Sequence, residues 1–130
     1  MRVLLDTHLV LDLLEDQPLR AQHLSRMAAD AFLVSAASLW EIAIKTRLGK
    51  LDPAMPLDDI ARFLEHIGVR LLPIEARHVV AAANPQPETR DPFDRLLLAI
   101  CHVEGLRLAT IDRSLREHPL AVQLPGGIIL

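Results

Sequence analysis

Short apolar runs alternate along the chain with longer segments in which apolar residues recur every three or four positions. A short apolar run bounded by polar or turn residues is typical of a buried strand, and the longer spacing is typical of a helix packed on one side. The runs predict strands at residues 3–5, 31–34, 69–74, 106–111 and 121–124. The longer spacing predicts helices at residues 7–15, 18–29, 36–48, 57–67, 75–83 and 93–103.

This alternation of strands and helices decides the predicted fold class. Strands joined through helices form βαβ units, which place the strands parallel in one sheet with helices packed on it. We therefore expect an α/β protein with helices on both faces of a mostly parallel sheet of four or five strands. The chain has 130 residues and no internal repeat, which predicts one domain over residues 1–130.

The segment from Asp91 to Asp94 places two carboxylates at the start of the most apolar helix. Asp91 suits the N-cap, and Pro92 suits the first helical position because its missing N–H would have no partner there. Asp94 lies in the first turn, where the helix dipole favours a negative charge. Residues 93–103 lack a wide polar stripe, so we expect this helix to be central and buried.

Composition excludes some classes of protein without indicating a substrate. No apolar stretch approaches the ~18 residues of a membrane span, and the first residues lack the pattern of a signal peptide, so we expect a cytoplasmic protein with no membrane partner. Cys101 is the single cysteine, and we expect it to be a small buried hydrophobic residue rather than a nucleophile. The net charge of -3 neither requires nor excludes RNA as a partner.

Four acidic residues occupy positions that suit chemistry at one edge of the sheet. Asp6 follows the first predicted strand and Asp112 ends the fourth, and parallel α/β sheets bind ligands at the carboxyl ends of their strands. Glu41 lies in a helix among apolar neighbours, and Asp94 begins the central helix. Each acid alone has a simpler interpretation: N-caps for Asp6 and Asp112, a capping box of Ser38 with Glu41, and compensation of the helix dipole for Asp94.

Considered together, the four acids indicate a divalent cation. A buried acid such as Glu41 costs free energy unless it is paired or binds a metal, and no single Lys or Arg is spaced to neutralise all four. Carboxylates ~4 Å apart repel by about 4 kcal/mol per pair at an effective dielectric near 20, and a bound Mg²⁺ or Mn²⁺ reverses that sign. Such a site can polarise a phosphodiester and activate water.

Histidine positions argue against a zinc site. The six histidines form no pair at zinc-binding spacing, and a set of oxygen ligands favours a harder metal than zinc. His8 lies beside Asp6 in sequence, and we expect it to hydrogen-bond or pack locally rather than to bind metal.

Four segments carry a resemblance to a known family. They are residues 3–8 (VLLDTH), 35–45 (SAASLWEIAIK), 90–97 (RDPFDRLL) and 109–112 (ATID). Together they resemble the PIN domain family, of the VapC-like type that forms the toxin of bacterial type II toxin–antitoxin pairs. The resemblance extends over essentially the whole chain, with a departure at Asp12 and Leu13, where many relatives have aromatic residues.

The resemblance implies a PIN-like three-layer α/β/α fold and a Mg²⁺- or Mn²⁺-dependent endoribonuclease that acts on RNA. It also implies a homodimer and a cognate antitoxin whose tail covers the active site. The residues that it implies for metal binding and catalysis are Asp6, Glu41, Asp94 and Asp112, with Thr7 and Thr110 as hydrogen-bonding neighbours. Of the four acid positions, that of Asp112 varies most among such proteins.

Several basic residues lie next to these acids in sequence and are candidates for contacts with the RNA backbone. They are Lys45, Arg47, Arg90, Arg95 and Arg113. The alternative for each is a solvated surface charge.

Two other functions remain open: a catalytically silent interaction module with a PIN-like fold, and a small phosphate-binding α/β module of the receiver type. The second needs adjacent acids after the first strand and a lysine after a late strand, and this chain has neither.

Overall fold

The computed structural model describes residues 1–15, 31–84, 90–112, 115 and 117–122. The strands are β1 (Arg2–Leu5), β2 (Ala31–Ser35), β3 (Arg70–Leu72), β4 (Arg107–Ala109) and β5 (Ala121–Val122). The helices in this part of the chain are α1 (Thr7–Leu14), α2 (Ala36–Arg47), α3 (Leu57–His66), α4 (Ala76–Ala81) and α5 (Pro92–Glu104). The helix predicted at residues 18–29 and the end of the strand predicted at 121–124 lie outside the described residues.

The five strands form one sheet with the order β3-β2-β1-β4-β5, and all four pairings are parallel. β1 is the central strand, with Leu4 paired to Leu33 of β2 on one side and to Leu108 of β4 on the other. The predicted α/β class and parallel sheet are confirmed. Because β1 is central, the residue that follows it leaves the sheet at the middle of its carboxyl edge.

Side chains alternate along β1, and the alternation produces two hydrophobic cores. Val3 and Leu5 belong to a cluster with residues of α1, α2 and α3. Leu4 belongs to a second cluster that is built mainly with α5. All three side chains are fully buried. Successive side chains of a strand point to opposite faces of its sheet, so helices cover both faces, and the predicted three-layer arrangement is confirmed.

Two strands are shorter than predicted. The strand predicted at 69–74 is only Arg70–Leu72, because Pro73 has no N–H to continue the ladder. The strand predicted at 106–111 ends at Ala109, where the hydroxyl of Thr110 accepts a hydrogen bond from the backbone N–H of Asp112 and turns the chain. The expectation that Asp112 ends the strand is therefore wrong, since it lies three residues beyond the strand.

Helix α5 begins and ends as predicted. The side chain of Asp91 accepts hydrogen bonds from the backbone N–H groups of Phe93 (2.8 Å) and Asp94 (3.2 Å), and Gly105 closes the helix with a φ of 69°. The middle of the helix is buried, whereas its two ends are partly exposed. No helix among the described residues is long and apolar enough to cross a membrane.

Cys101 is a buried hydrophobic residue of the second core, as predicted. Burial raises the pKa of its thiol to about 12. The nucleophilic thiolate form is therefore disfavoured at this position.

Helix α2 begins at Ser35, whose hydroxyl accepts a hydrogen bond from the N–H of Ala37 at 2.9 Å. The alternative in which Ser38 and Glu41 form a capping box is wrong, because both residues lie inside the helix. The cap fixes the point at which the chain passes from β2 into α2, and therefore the position of Glu41 relative to the carboxyl edge of the sheet.

Replacing Ser35 with Ala is expected to lower the free energy of unfolding by about 0.5–2 kcal/mol, since the buried N–H of Ala37 loses its acceptor. Urea unfolding followed by circular dichroism measures this difference. Val80→Ala is the control, because Val80 is 75% exposed and its truncation should change stability by less than about 0.5 kcal/mol. A loss in Ser35→Ala no larger than in the control would contradict the role of the cap.

Candidate active site

Asp6 is fixed at the carboxyl edge of the sheet by its backbone and by its side chain. Its N–H donates to the carbonyl of Ala109 at 2.9 Å, which holds it between β1 and β4. One carboxylate oxygen accepts from the N–H of Thr7 (2.7 Å) and the other from the hydroxyl of Thr110 (2.6 Å). Asp6 therefore does cap α1, yet each oxygen keeps a lone pair for a further ligand.

Glu41 reaches the same edge from α2 and is buried. Its Oε1 accepts from the hydroxyl of Thr7 at 2.8 Å, and its Oε2 accepts from Lys45 Nζ at 2.5 Å. The Oγ atoms of Thr7 and Ser38 lie 2.9 Å apart. Because Thr7 has one hydroxyl proton and an ionised Glu41 can only accept, Thr7 donates to Glu41 and accepts from Ser38. Thr7 and Lys45 bond Glu41 directly and Ser38 bonds Thr7, so these three side chains hold Glu41 in one orientation.

Lys45 is paired with Glu41, whereas the sequence analysis considered this residue only for RNA contact. The hydrogen bond to Glu41 raises the pKa of Lys45, and the negative charges of Glu41, Asp91 and Asp94 add to the effect. An ammonium group therefore lies among the acids. The signal was visible in the sequence as a Glu–Lys pair four residues apart on one helix.

The pKa of Asp94 shows how the acids are arranged. Burial raises this pKa to about 7, and the charges of Asp91, Asp6, Asp112 and Glu41 contribute in that order. Charge interactions weaken with distance, so four carboxylates that all disfavour ionisation of Asp94 surround one region. The structure therefore brings the four predicted acids to the same edge of the sheet, with Asp91 as a fifth acid at its rim.

Asp112 joins this region through Thr110. The Thr110 hydroxyl accepts from the N–H of Asp112 at 3.0 Å while it donates to Asp6. The charge of Asp112 raises the pKa of Asp6 as well as that of Asp94. Thr7 and Thr110 are hydrogen-bonding neighbours of the acids, as the family resemblance implies.

Asp6 itself has a raised pKa, chiefly because it is buried. The hydrogen bonds from Thr110 and Thr7 and the charge of His8 oppose that rise. The His8 side chain is exposed, and its expected local hydrogen bonding or packing stays a prediction.

The remaining basic candidates differ in position. Arg95 donates from its guanidinium to the carbonyl of Ala83 at 2.7 Å and braces α5 against the end of α4. Arg47 and Arg90 are exposed. Arg113 lies outside the described residues.

A second group of ligand-type side chains was missed by the sequence analysis. Among the described residues, Glu75, His78 and Glu104 form the one set of three such side chains whose ligand atoms all lie within 4.8 Å of one another. The spacing of Glu75 and His78 was visible in the sequence, but Glu104 joins them from a distant helix. Their proximity depends on the packing of α4 against α5.

Hydrogen bonds within this second group favour a structural role over metal binding. His78 Nδ1 accepts from the N–H of Glu75 at 2.9 Å, and its Nε2 lies 2.8 Å from Glu104. Arg77 bonds both carboxylates. Both ring nitrogens are thus in use and a cation is already present. The hydrogen bond from His78 and the charge of Arg77 lower the pKa of Glu104, and the group ties α4 to α5.

The acids at the sheet edge fit a hard divalent cation by their chemistry. All offer carboxylate oxygens, and their negative charges add to burial in raising the pKa of Asp94, an effect that a bound cation would oppose. In the described structure these acids do not bring three ligand oxygens within 4.8 Å of one another. Mg²⁺ binds through one or two carboxylates and keeps several waters, so this spacing suits an ion that retains part of its hydration shell.

Comparison with known proteins identifies the family. The model of the PIN domain matches residues 3–119. The chain belongs to the PIN domain family. A relative of this PIN domain is the Ribonuclease VapC22 of Mycobacterium tuberculosis, which is 36% identical over 92 residues that make up 69% of each protein.

Solved structures share the fold of this PIN domain. A chain in the complex of VapBC2 from Rickettsia felis with a DNA fragment from its promoter aligns with a TM-score of 0.69, over 95% of this chain and 97% of that one. A chain in a toxin–antitoxin complex from Klebsiella pneumoniae aligns with a TM-score of 0.67, over 92% and 95%. The identities are 14% and 16%, so these similarities establish the PIN-like fold alone.

The pKa of Asp94 predicts a pH dependence of stability. A carboxyl with a pKa of about 7 in the folded state and 3.8 as its ordinary value binds its proton more tightly when folded. The stability that Asp94 contributes is complete below its ordinary pKa of 3.8 and is lost as the pH rises through its folded-state pKa of about 7. Without metal, the wild type should therefore lose stability relative to Asp94→Asn between about pH 4 and about pH 7.

Urea unfolding of both proteins in a chelating buffer measures this difference. Val80→Ala removes no titratable group, so its difference from the wild type should not change with pH. If the difference between the wild type and Asp94→Asn were equally independent of pH, Asp94 would not be perturbed as described.

Proposed function

We propose that this PIN domain, as one domain over residues 1–130, is an endoribonuclease that depends on Mg²⁺ or Mn²⁺ and acts as the toxin of a toxin–antitoxin pair. The observation that carries the proposal is that Asp6, Glu41 and Asp112 lie close enough to Asp94 for their charges to add to burial in raising its pKa. Carboxylates held together in this way are the ligands that such cations prefer. The name of the mycobacterial relative, a ribonuclease, supports RNA as the substrate.

In the proposed mechanism Asp6, Glu41 and Asp94 would hold the cation, in part through waters of its hydration shell, and Asp112 would orient the attacking water and accept its proton. When bound, a cation of this kind polarises a phosphodiester and lowers the pKa of water. Thr110 keeps Asp6 in place and Thr7 keeps Glu41 in place. Asp94 must lose its proton before it can serve as a ligand, because its pKa is about 7 without metal.

Lys45 has two roles in this proposal. Its ammonium offsets the charge of Glu41, which limits the repulsion among the acids while no metal is bound. About 40% of its side chain is exposed, so it also faces the solution from which RNA approaches. A phosphate of the RNA backbone that contacts Lys45 would be placed directly beside the acids.

The proposed partner is a cognate antitoxin whose tail covers the acidic edge. Structures that share this fold are toxin–antitoxin complexes from Klebsiella pneumoniae and VapBC complexes from Rickettsia felis and Salmonella typhimurium. The homodimer remains a prediction from the family resemblance. The silent-module alternative requires the acids to be without metal or activity, and no observation favours it.

Asp94→Asn is expected to slow metal-dependent cleavage of RNA by more than about 100-fold, since loss of a residue that only supports a metal ligand already costs roughly 10- to 100-fold. The assay uses total RNA with Mg²⁺ or Mn²⁺, and parallel reactions with a chelator give the metal-independent background. Asp58→Asn is the matched control, because it removes an exposed carboxylate from the first turn of α3 that is not among the charges acting on Asp94.

Unchanged cleavage in Asp94→Asn would remove Asp94 from the mechanism. Activity that survived the chelator would contradict metal dependence. A wild type that bound Mn²⁺ and cleaved no RNA would overturn the proposed function.

A further inference from the structure

Lys45 is a positive charge that the fold places among acids proposed to bind a cation. Its Nζ donates to Glu41 Oε2 at 2.5 Å, and the negative charges of Asp91 and Asp94 act on it as well. Residues four apart lie on the same face of a helix, which brings Lys45 to Glu41 on α2. The chain has one other lysine, Lys50, which is exposed beyond the end of that helix.

Both oxygens of the Glu41 carboxylate are engaged in the metal-free protein. Oε1 accepts from the hydroxyl of Thr7 and Oε2 from the ammonium of Lys45. Only 9% of the Glu41 side chain is exposed, and a buried carboxylate needs compensation for the water that it has lost. Lys45 therefore supplies, before any metal binds, the kind of positive charge that a cation would supply.

The two partners of Glu41 differ in what they do to an incoming cation. Thr7 is neutral and buried, and it remains bonded to Ser38 and to Oε1 whatever happens to Lys45. Lys45 carries a charge of the same sign as the cation, and 40% of its side chain is exposed. Each carboxylate oxygen has two lone pairs, so the conflict between Lys45 and a cation is one of charge rather than of space.

We propose that Lys45 is an internal competitor of the divalent cation: it stabilises the acids while no cation is bound and lowers their affinity for the cation. This inference rests on the proposed function and adds to it a residue that controls metal loading. Unit charges of like sign ~4 Å apart repel enough to change an equilibrium constant about 5-fold even at the dielectric of water. A divalent cation doubles that repulsion.

A supporting role for Lys45 makes the opposite prediction. If the main effect of Lys45 were to orient Glu41, its removal would weaken metal binding. If it competes, its removal strengthens metal binding and at the same time destabilises the metal-free protein, because Glu41 loses its charged partner. The two effects have opposite signs, which a purely structural residue does not produce.

The test measures binding of Mn²⁺ by calorimetry at about pH 8, where Asp94 has lost its proton. Lys45→Met keeps an unbranched side chain and removes the charge. Its Kd for Mn²⁺ should be roughly 5- to 30-fold lower than that of the wild type. In a chelating buffer its melting temperature should be lower than that of the wild type.

Two variants serve as controls for the charge and for its position. Lys45→Arg keeps the charge beside Glu41 and should bind Mn²⁺ like the wild type. Lys50→Met is the matched control, since it makes the same change at an exposed lysine and should alter neither the Kd nor the melting temperature. If Lys45→Met does not fold, Lys45→Gln removes the charge and keeps a donor for Glu41.

Cleavage of total RNA gives an independent measure of metal loading. The Mn²⁺ concentration that gives half of the maximal rate should fall in Lys45→Met by the same factor as the Kd. The maximal rate itself is a separate quantity, because it also reports the proposed contact of Lys45 with an RNA phosphate.

Several results would overturn the inference. Unchanged or weaker Mn²⁺ binding in Lys45→Met would do so, as would an equal gain in Lys50→Met. Metal-dependent cleavage by the wild type, with no gain of affinity in Lys45→Met, would leave the proposed function standing without the competition. Tighter Mn²⁺ binding by Lys45→Met, in a protein whose wild type cleaves no RNA, would leave the competition and remove the function.

Discussion

Repulsion among carboxylates at the carboxyl edge of the sheet is the constraint on which the rest of the structure depends. Each acid that the fold brings there is compensated in a different way. Thr110 donates a hydrogen bond to Asp6, and Thr7 and Lys45 donate hydrogen bonds to Glu41. Asp94 has a pKa raised to about 7 and therefore keeps its proton at lower pH. A cation would replace the last of these compensations, because it would favour the ionised form of Asp94, which burial and the neighbouring charges disfavour.

The two hydrophobic cores hold this edge together against that repulsion. β1 is buried on both faces, which fixes Asp6 at the centre, and the capped starts of α2 and α5 set the positions of Glu41 and Asp94. Rigid elements place side chains more accurately than loops do. Asp91 has a structural and an electrostatic effect. Its carboxylate caps helix α5, and its charge adds to burial in raising the pKa of Asp94.

Sequence patterns predicted what depends on local periodicity and capping, and missed what depends on packing. The parallel sheet, the cap at Asp91 and the convergence of the acids followed from spacing and from the family resemblance. The early ends of β3 and β4 followed from one missing N–H at Pro73 and one hydroxyl at Thr110, which a hydrophobic pattern does not register. The bond between His78 and Glu104 joins distant residues, so no local pattern contained it.

Thermal unfolding of the wild type with increasing Mn²⁺ at about pH 8, where Asp94 has lost its proton, tests the central claim most directly. A ligand that binds only the folded state stabilises it by about 2.7 kcal/mol at 100 times its Kd. The melting temperature of the wild type should therefore rise with Mn²⁺ concentration, and that of Asp94→Asn should rise much less. A melting temperature that is independent of Mn²⁺, or an equal rise in both proteins, would contradict a metal site formed by these acids.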